Sequence, residues 1–261
     1  MNTRKFLLTG ITLSVLVGLT ACGGASDSTT VPTKGTTTTT TGPITAFGRS
    51  TGNTIVNGIE FNTANANIVV EGKANATKAD LKVGMMVTIK ASNTTASSIS
   101  SKDEVEGVVT DPIPGGAITG DLTVMGQTVT IDDKTIFESY VDTITDAGMI
   151  TQGNVIEVSG YSTGTGTITA TRLEVKALAW DASMELEVSG TVAKNDAAAK
   201  TFEIGNLVVL YTNAMLKDIP NDTIADGMHV EVKSTEGLNA DNQLVASKVE
   251  LESNDSATEG D

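Results

Sequence analysis

The stretches Gly84-Met85-Met86-Val87-Thr88-Ile89-Lys90, Gly153-Asn154-Val155-Ile156-Glu157-Val158-Ser159 and Gly227-Met228-His229-Val230-Glu231-Val232-Lys233 are three versions of one pattern. In each, a glycine opens a segment whose fourth and sixth residues are Val or Ile. Strand side chains alternate between two faces, so Val87/Ile89, Ile156/Val158 and Val230/Val232 are expected on the buried face of three equivalent strands. The three glycines stand about 70 residues apart, a domain-sized period that predicts three tandem modules.

Working outward, each copy carries the same surroundings. In the first, Ile55-Val56-Asn57-Gly58-Ile59-Glu60-Phe61 reads as a tight hairpin, because Asn-Gly accepts the positive φ of a type I′ turn. In the second, Leu122 to Ile131 is a hairpin on Met125-Gly126. In the third, Phe202 to Val209 takes that place. Leu81, Ile150 and Ile224 each precede the strand-opening glycine by three residues, and Ala76 to Val83 reads as one or two helical turns. Ala96-Ser97-Ser98-Ile99, Ala170-Thr171-Arg172-Leu173 and Ala246-Ser247-Lys248-Val249 close the modules. Five or six short strands per module with one brief helix-prone segment predict an all-β chain of three small Greek-key, OB-like barrels. Their expected spans are 42–103, 104–180 and 181–253, followed by an acidic tail over 254–261. Trp180 is the expected packing residue between the second and third modules.

Residues 1–21 read as an export signal: Arg4 and Lys5 precede an apolar run, Phe6 to Leu19, that is short for a membrane span. The run ends in Leu19-Thr20-Ala21-Cys22, which closely resembles the bacterial lipobox. That resemblance implies cleavage before Cys22, a diacylglycerol on its sulfur and an acylated amino group, hence a stable membrane anchor. Gly23 after the cysteine, by resemblance to enterobacterial lipoproteins, implies the outer membrane. Cys22 is the sole cysteine, so no internal disulfide forms. Residues 22–41, ending in an unbroken threonine run, hold almost no large apolar side chain and are expected to form a flexible tether.

Composition narrows the partners. With 17 Lys+Arg against 32 Asp+Glu the net charge is −15, which repels nucleic acid. Aromatic residues make up 3% of the chain, too few for a base-stacking platform.

The lipobox, the threonine-rich spacer and repeats of the form G-x-[VI], G-x-x-[VI]-x-[VI] and A-[ST]-x-[ILV] resemble a bacterial family of repeated β-modules, the domain-of-unknown-function family 5666. The resemblance spans about residues 42–252 and brings no catalytic residues with it.

Little in the chain points to catalysis. His229 is the sole histidine, and it sits where the other copies carry Met86 and Val155, so it reads as a barrel-edge side chain rather than a base. One His and one acylated Cys leave no zinc set, and no metal site or cofactor is expected beyond the lipid on Cys22. Asp132-Asp133, Asn195-Asp196, Asn221-Asp222 and Asp241-Asn242 read as turn residues. Glu231, Glu250 and Glu252 read as solvated outer faces. The expectation is a non-enzymatic, lipid-anchored envelope protein whose partner is the membrane and an envelope protein or polysaccharide. The competing readings are an envelope polysaccharide-active enzyme or subunit, which would need two facing carboxylates, and a weak divalent-cation binder.

Overall fold

Each of the three pattern glycines adopts a left-handed backbone, with φ of +91° at Gly84, +94° at Gly153 and +88° at Gly227, a conformation that residues with a Cβ avoid. That turn launches the strand, and the Val and Ile that follow are buried in all three copies. The computed structural model describes residues 37–49, 52–73 and 75–252. The lipobox residues Leu19, Thr20, Ala21 and Cys22, the export signal, the tether up to residue 36 and the tail over 254–261 lie outside the described residues.

The chain is all-β. The first repeat holds β1 (Thr37–Phe47), β2 (Asn53–Val56), β3 (Ile59–Asn62), β4 (Asn67–Val70), β5 (Met86–Ser92) and β6 (Thr95–Ser101). The second holds β7 (Val105–Asp111), β8 (Gly120–Val124), β9 (Gln127–Ile131), β10 (Ile136–Ser139), β11 (Val155–Ser162) and β12 (Thr167–Ala177). The third begins with β13 (Leu186–Thr191), β14 (Ala193–Asp196), β15 (Thr201–Ile204) and β16 (Leu207–Leu210). It ends with β17 (Met215–Lys217), β18 (His229–Ser234), β19 (Leu244–Val245) and β20 (Lys248–Leu251).

Local chemistry explains the turns. Asn57 and Gly58 take φ of +51° and +73°, and Met125 and Gly126 take +43° and +74°, which satisfies the type I′ requirement between β2 and β3 and between β8 and β9. The helical turn expected over Ala76 to Val83 is a single 3-10 turn, Lys78–Asp80, with counterparts at Ala147–Met149 and Pro220–Asp222. Leu81, Ile150 and Ile224, just beyond these turns, are buried.

In the first repeat β1 pairs with β2 and β5, β2 with β3, and β5 with β6, while β3 and β4 both run parallel to β6. The second repeat has the same order: β7 with β8 and β11, β8 with β9, β11 with β12, and β9 and β10 parallel to β12. Two expectations are corrected here. Three separate barrels are not what forms: β13 pairs with β7, so strands of the second and third repeats join in one 10-stranded sheet over one continuous core. The physical cause is that each small module leaves strand edges and apolar surface that a neighbour can cover. The first repeat keeps a core of its own around Phe61, Ile89 and Ile99. The second correction concerns the tether, because Thr37 to Thr41 belong to β1 and pair with Ser92 to Thr88 of β5. Threonine is β-branched and strand-favouring, so a run that looks like spacer becomes strand once a partner edge is present. Trp180 packs against the joint core of repeats two and three and against Gly237, and its indole Nε1 donates to the Met184 carbonyl at 3.2 Å.

Candidate functional site

The strands of repeats two and three place glutamate between core residues: Val105-Glu106-Gly107, Ile156-Glu157-Val158, Leu173-Glu174-Val175, Leu186-Glu187-Val188 and Val230-Glu231-Val232. Alternation puts the apolar partners in the core and the carboxylates on the opposite face. Register then lines them up. Glu138 faces Glu174, Glu174 faces Glu157, Glu157 faces Glu106, and Glu106 faces Glu187 across the β7–β13 junction. Beyond Glu187 the row continues through Lys233 to Lys248. Like charges directly opposite one another destabilise a sheet, so the row requires cations or protons.

Cations come from residues two positions along the same strands. Arg172 Nε donates to Glu174 at 2.5 Å, and the same guanidinium contacts Glu138. Lys176 Nζ lies 2.5 Å from Glu157. Lys233 contacts Glu187 and reaches Glu185 at 3.2 Å and Glu231 at 3.6 Å, while Lys248 holds Glu231 at 3.2 Å. Burial alone would lower Lys176 and Lys233, but Glu157 and Glu187 outweigh it and hold both above the ordinary lysine range. Carboxylates outnumber their cations, and the surplus appears as raised acids. Burial, then Glu71, lifts Glu157 to about 7 in spite of Lys176. Burial, then Glu231, lifts Glu187 to about 7, and burial lifts Glu104 to about 7. Burial, then Glu157 and Glu71, raises Asp103 well above the carboxylate range.

Repeat one docks on this face. Thr171 Oγ1 donates to the Gly84 carbonyl at 2.7 Å, and Arg172 Nη1 donates to the Val83 carbonyl at 3.0 Å. At the junction the carboxylate oxygens of Glu71, Asp103 and Glu157 all lie within 4.8 Å of one another, the one such group of potential metal ligands among the described residues.

The residues singled out from sequence fall elsewhere. His229 is half-buried on β18 with Nε2 3.8 Å from Glu252, and burial, then Lys102, lowers its pKa. The acidic pairs do serve turns: Asp132 accepts from the backbone N–H of Lys134 at 2.8 Å, Asp196 accepts from that of Ala198 at 2.9 Å, and Asn221, Asp222 and Asn242 take positive φ. The reading of Glu231, Glu250 and Glu252 as solvated is corrected. Glu231 is buried and the other two are partly covered, because neighbouring strands and lysines lie over that face. Sequence reasoning missed Glu71, Asp103, Glu157 and Glu174. A signal was present in Glu174-Val175-Lys176 and Glu231-Val232-Lys233, where an acid and a base share one face of equivalent strands.

No curated protein matches the chain. The family described as Domain of unknown function (DUF5666) matches at residues 41–100, 106–174 and 189–250, one match for each structural repeat. With those three segments covering most of its length, the chain belongs to the DUF5666 family.

Proposed function

We propose that this is a lipid-anchored, non-enzymatic protein of the bacterial outer membrane, held through Cys22, in which three OB-like Greek-key modules act as one rigid binding or structural unit. The strand order β1–β2–β3–β6–β5–β1, repeated as β7–β8–β9–β12–β11–β7, supports reading each module as a small barrel fused to its neighbour. The observation that carries the functional reading is the location of the ionisable groups. Glu157 and Glu174 are each 2% exposed, Glu157 paired to Lys176 across β11 and β12 and Glu174 to Arg172 on its own strand, so these acids hold the sheet together instead of facing a groove. A glycosidase pair must reach its sugar from both sides, and carboxylates so placed do not. The partner is an envelope protein or polysaccharide, taken up on outer surfaces; the net charge of −15 disfavours nucleic acid.

Fractionation and activity test this together. Wild-type protein is expected in the outer membrane and Cys22→Ala in the inner membrane as unprocessed precursor. Outer-membrane recovery of Cys22→Ala would overturn the anchor. Purified protein incubated with envelope polysaccharide is expected to release no new reducing ends, and their release would overturn the non-enzymatic reading.

A further inference from the structure

Glu71, Asp103 and Glu157 reach one point from three separate parts of the chain. Glu71 follows β4 in a turn whose N–H donates to the Ser101 carbonyl at 3.1 Å. Asp103 lies in the link between β6 and β7, and Glu157 lies on β11. Their carboxylate oxygens fall within 4.8 Å of one another. One oxygen of Asp103 accepts the Ser159 hydroxyl. The other, Oδ2, is buried without any hydrogen-bond partner, on a residue only 4% exposed. Buried carboxylate oxygens are rarely left so, and each one calls for an explanation. Among the described residues the cluster has one ion-paired base, Lys176 on Glu157.

Three carboxylates and one lysine leave a charge of minus two, which a dication would balance. The donors are all hard oxygens with no thiolate or imidazole, the set that suits Ca²⁺ or Mg²⁺ rather than zinc. Calcium binds oxygen at about 2.3–2.6 Å, so two ligands of one ion stand at most about 5 Å apart; for Mg²⁺, at about 2.1 Å, the limit is about 4.2 Å. Oxygens within 4.8 Å of one another can share one such ion, and three carboxylates fixed by separate parts of the chain suit calcium, which accepts looser geometry than the near-ideal octahedron of magnesium. We infer that Glu71, Asp103 and Glu157 form a calcium site that staples the first repeat to the second. The site is independent of the acidic turns, where Asp132 and Asp196 accept from the backbone N–H groups of their own turns. It also does not depend on the anchor or on the partner proposed above.

The experiment is calorimetric titration of the full chain, stripped with chelator, using CaCl₂ alone, with MgCl₂ as comparison and a thermal melt at each end point. The expected result is saturable heat for one Ca²⁺ per chain and a Tm rise of about 5 °C, with a weaker Mg²⁺ response. Asp103→Asn, which keeps shape and removes charge, is expected to abolish the heat and the Tm rise while leaving a folded protein. Glu71→Gln provides the same test from a turn position should Asp103→Asn fail to fold. Wild type without calcium heat at millimolar concentration would overturn the site and leave a proton shared between Asp103 and Glu71 as the explanation. Calcium heat undiminished in folded Asp103→Asn or Glu71→Gln would also overturn it, by placing the ion elsewhere.

Discussion

Burial and the neighbouring Glu231 raise the Glu187 carboxyl from 4.5 to about 7, while Lys233 beside it, against its own burial, is held above the ordinary lysine range by Glu187 and then by Glu231 and Glu185. The folded-state pKa lies above the unfolded value, so between about 4.5 and about 7 the native state binds more protons than the unfolded chain. This contribution to stability is complete at the acid end of the window and is lost as pH rises through 7. A rise of this size corresponds to about 3 kcal/mol. Urea melts at pH 5 and pH 8 should therefore show wild type losing stability toward pH 8, and Glu187→Gln losing less by up to that amount. His229, lowered by burial, works in the opposite direction, so the comparison between variants is the reading. Identical pH profiles for wild type and Glu187→Gln would mean that Lys233 fully neutralises the carboxylate. Asp132, whose carboxylate is lowered by the Lys134 backbone N–H, titrates below this window.

The glycine-opened strand was legible from the sequence as an element, but its surroundings were not. Val87, Ile156 and Val230 announce a buried face by their spacing, and that face is buried. Spacing places Thr88, Glu157 and Glu231 on the opposite face without saying what covers it; Glu231 reads as solvated from sequence and is buried, and so is Glu157. The cover is non-local: β7 and β12 flank Glu157, and the Gly84 turn of another repeat sits against Thr171 and Arg172. Gly84 and Gly153 expose the difference. A Cβ at Gly84 would stand 2.8 Å from the Thr171 carbonyl oxygen and 2.9 Å from Arg172 Cβ, whereas one at Gly153 meets nothing within 4 Å. Both alanine variants suffer backbone strain of about 1–2 kcal/mol. Gly84→Ala should lose at least about 1 kcal/mol more, because backbone on both sides of the contact must yield. Hydrogen exchange should locate that extra loss at the contact between β12 and residues 83–84. Equal losses in the two variants would show the docking to be soft.

For the molecule as a whole, two cores predict two unfolding units. Val87 belongs to the core of the first repeat, while Ile156 and Val230 belong to the one that runs through the second and third. An aspartate at any of these sites buries an unpaired charge and should cost upwards of about 4 kcal/mol. Calorimetry of Val87→Asp should show one cooperative transition surviving, that of repeats two and three. Val230→Asp and Ile156→Asp should each remove that transition entire, and a variant that melted only its own repeat would contradict the shared core. The threefold period could be read from Gly84, Gly153 and Gly227, but the fusion of the last two repeats could not. The β7–β13 pairing rests on Val105-Glu106 meeting Glu187-Val188, a match no different in pattern from any other strand edge here. The first strand was misread for a related reason, since threonines spell spacer until Met86 to Ser92 offers them a partner. That pairing has a mechanical consequence. Seven consecutive residue pairs, from Thr37 with Ser92 to Pro43 with Met86, bind the leading end of the fold to β5. Interstrand hydrogen bonds lie across the strand axis, so tension drawn along β1 from its first residue loads them in shear. The seven pairs would then share the pull together instead of parting one after another, so the leading end of the fold resists extraction as a unit.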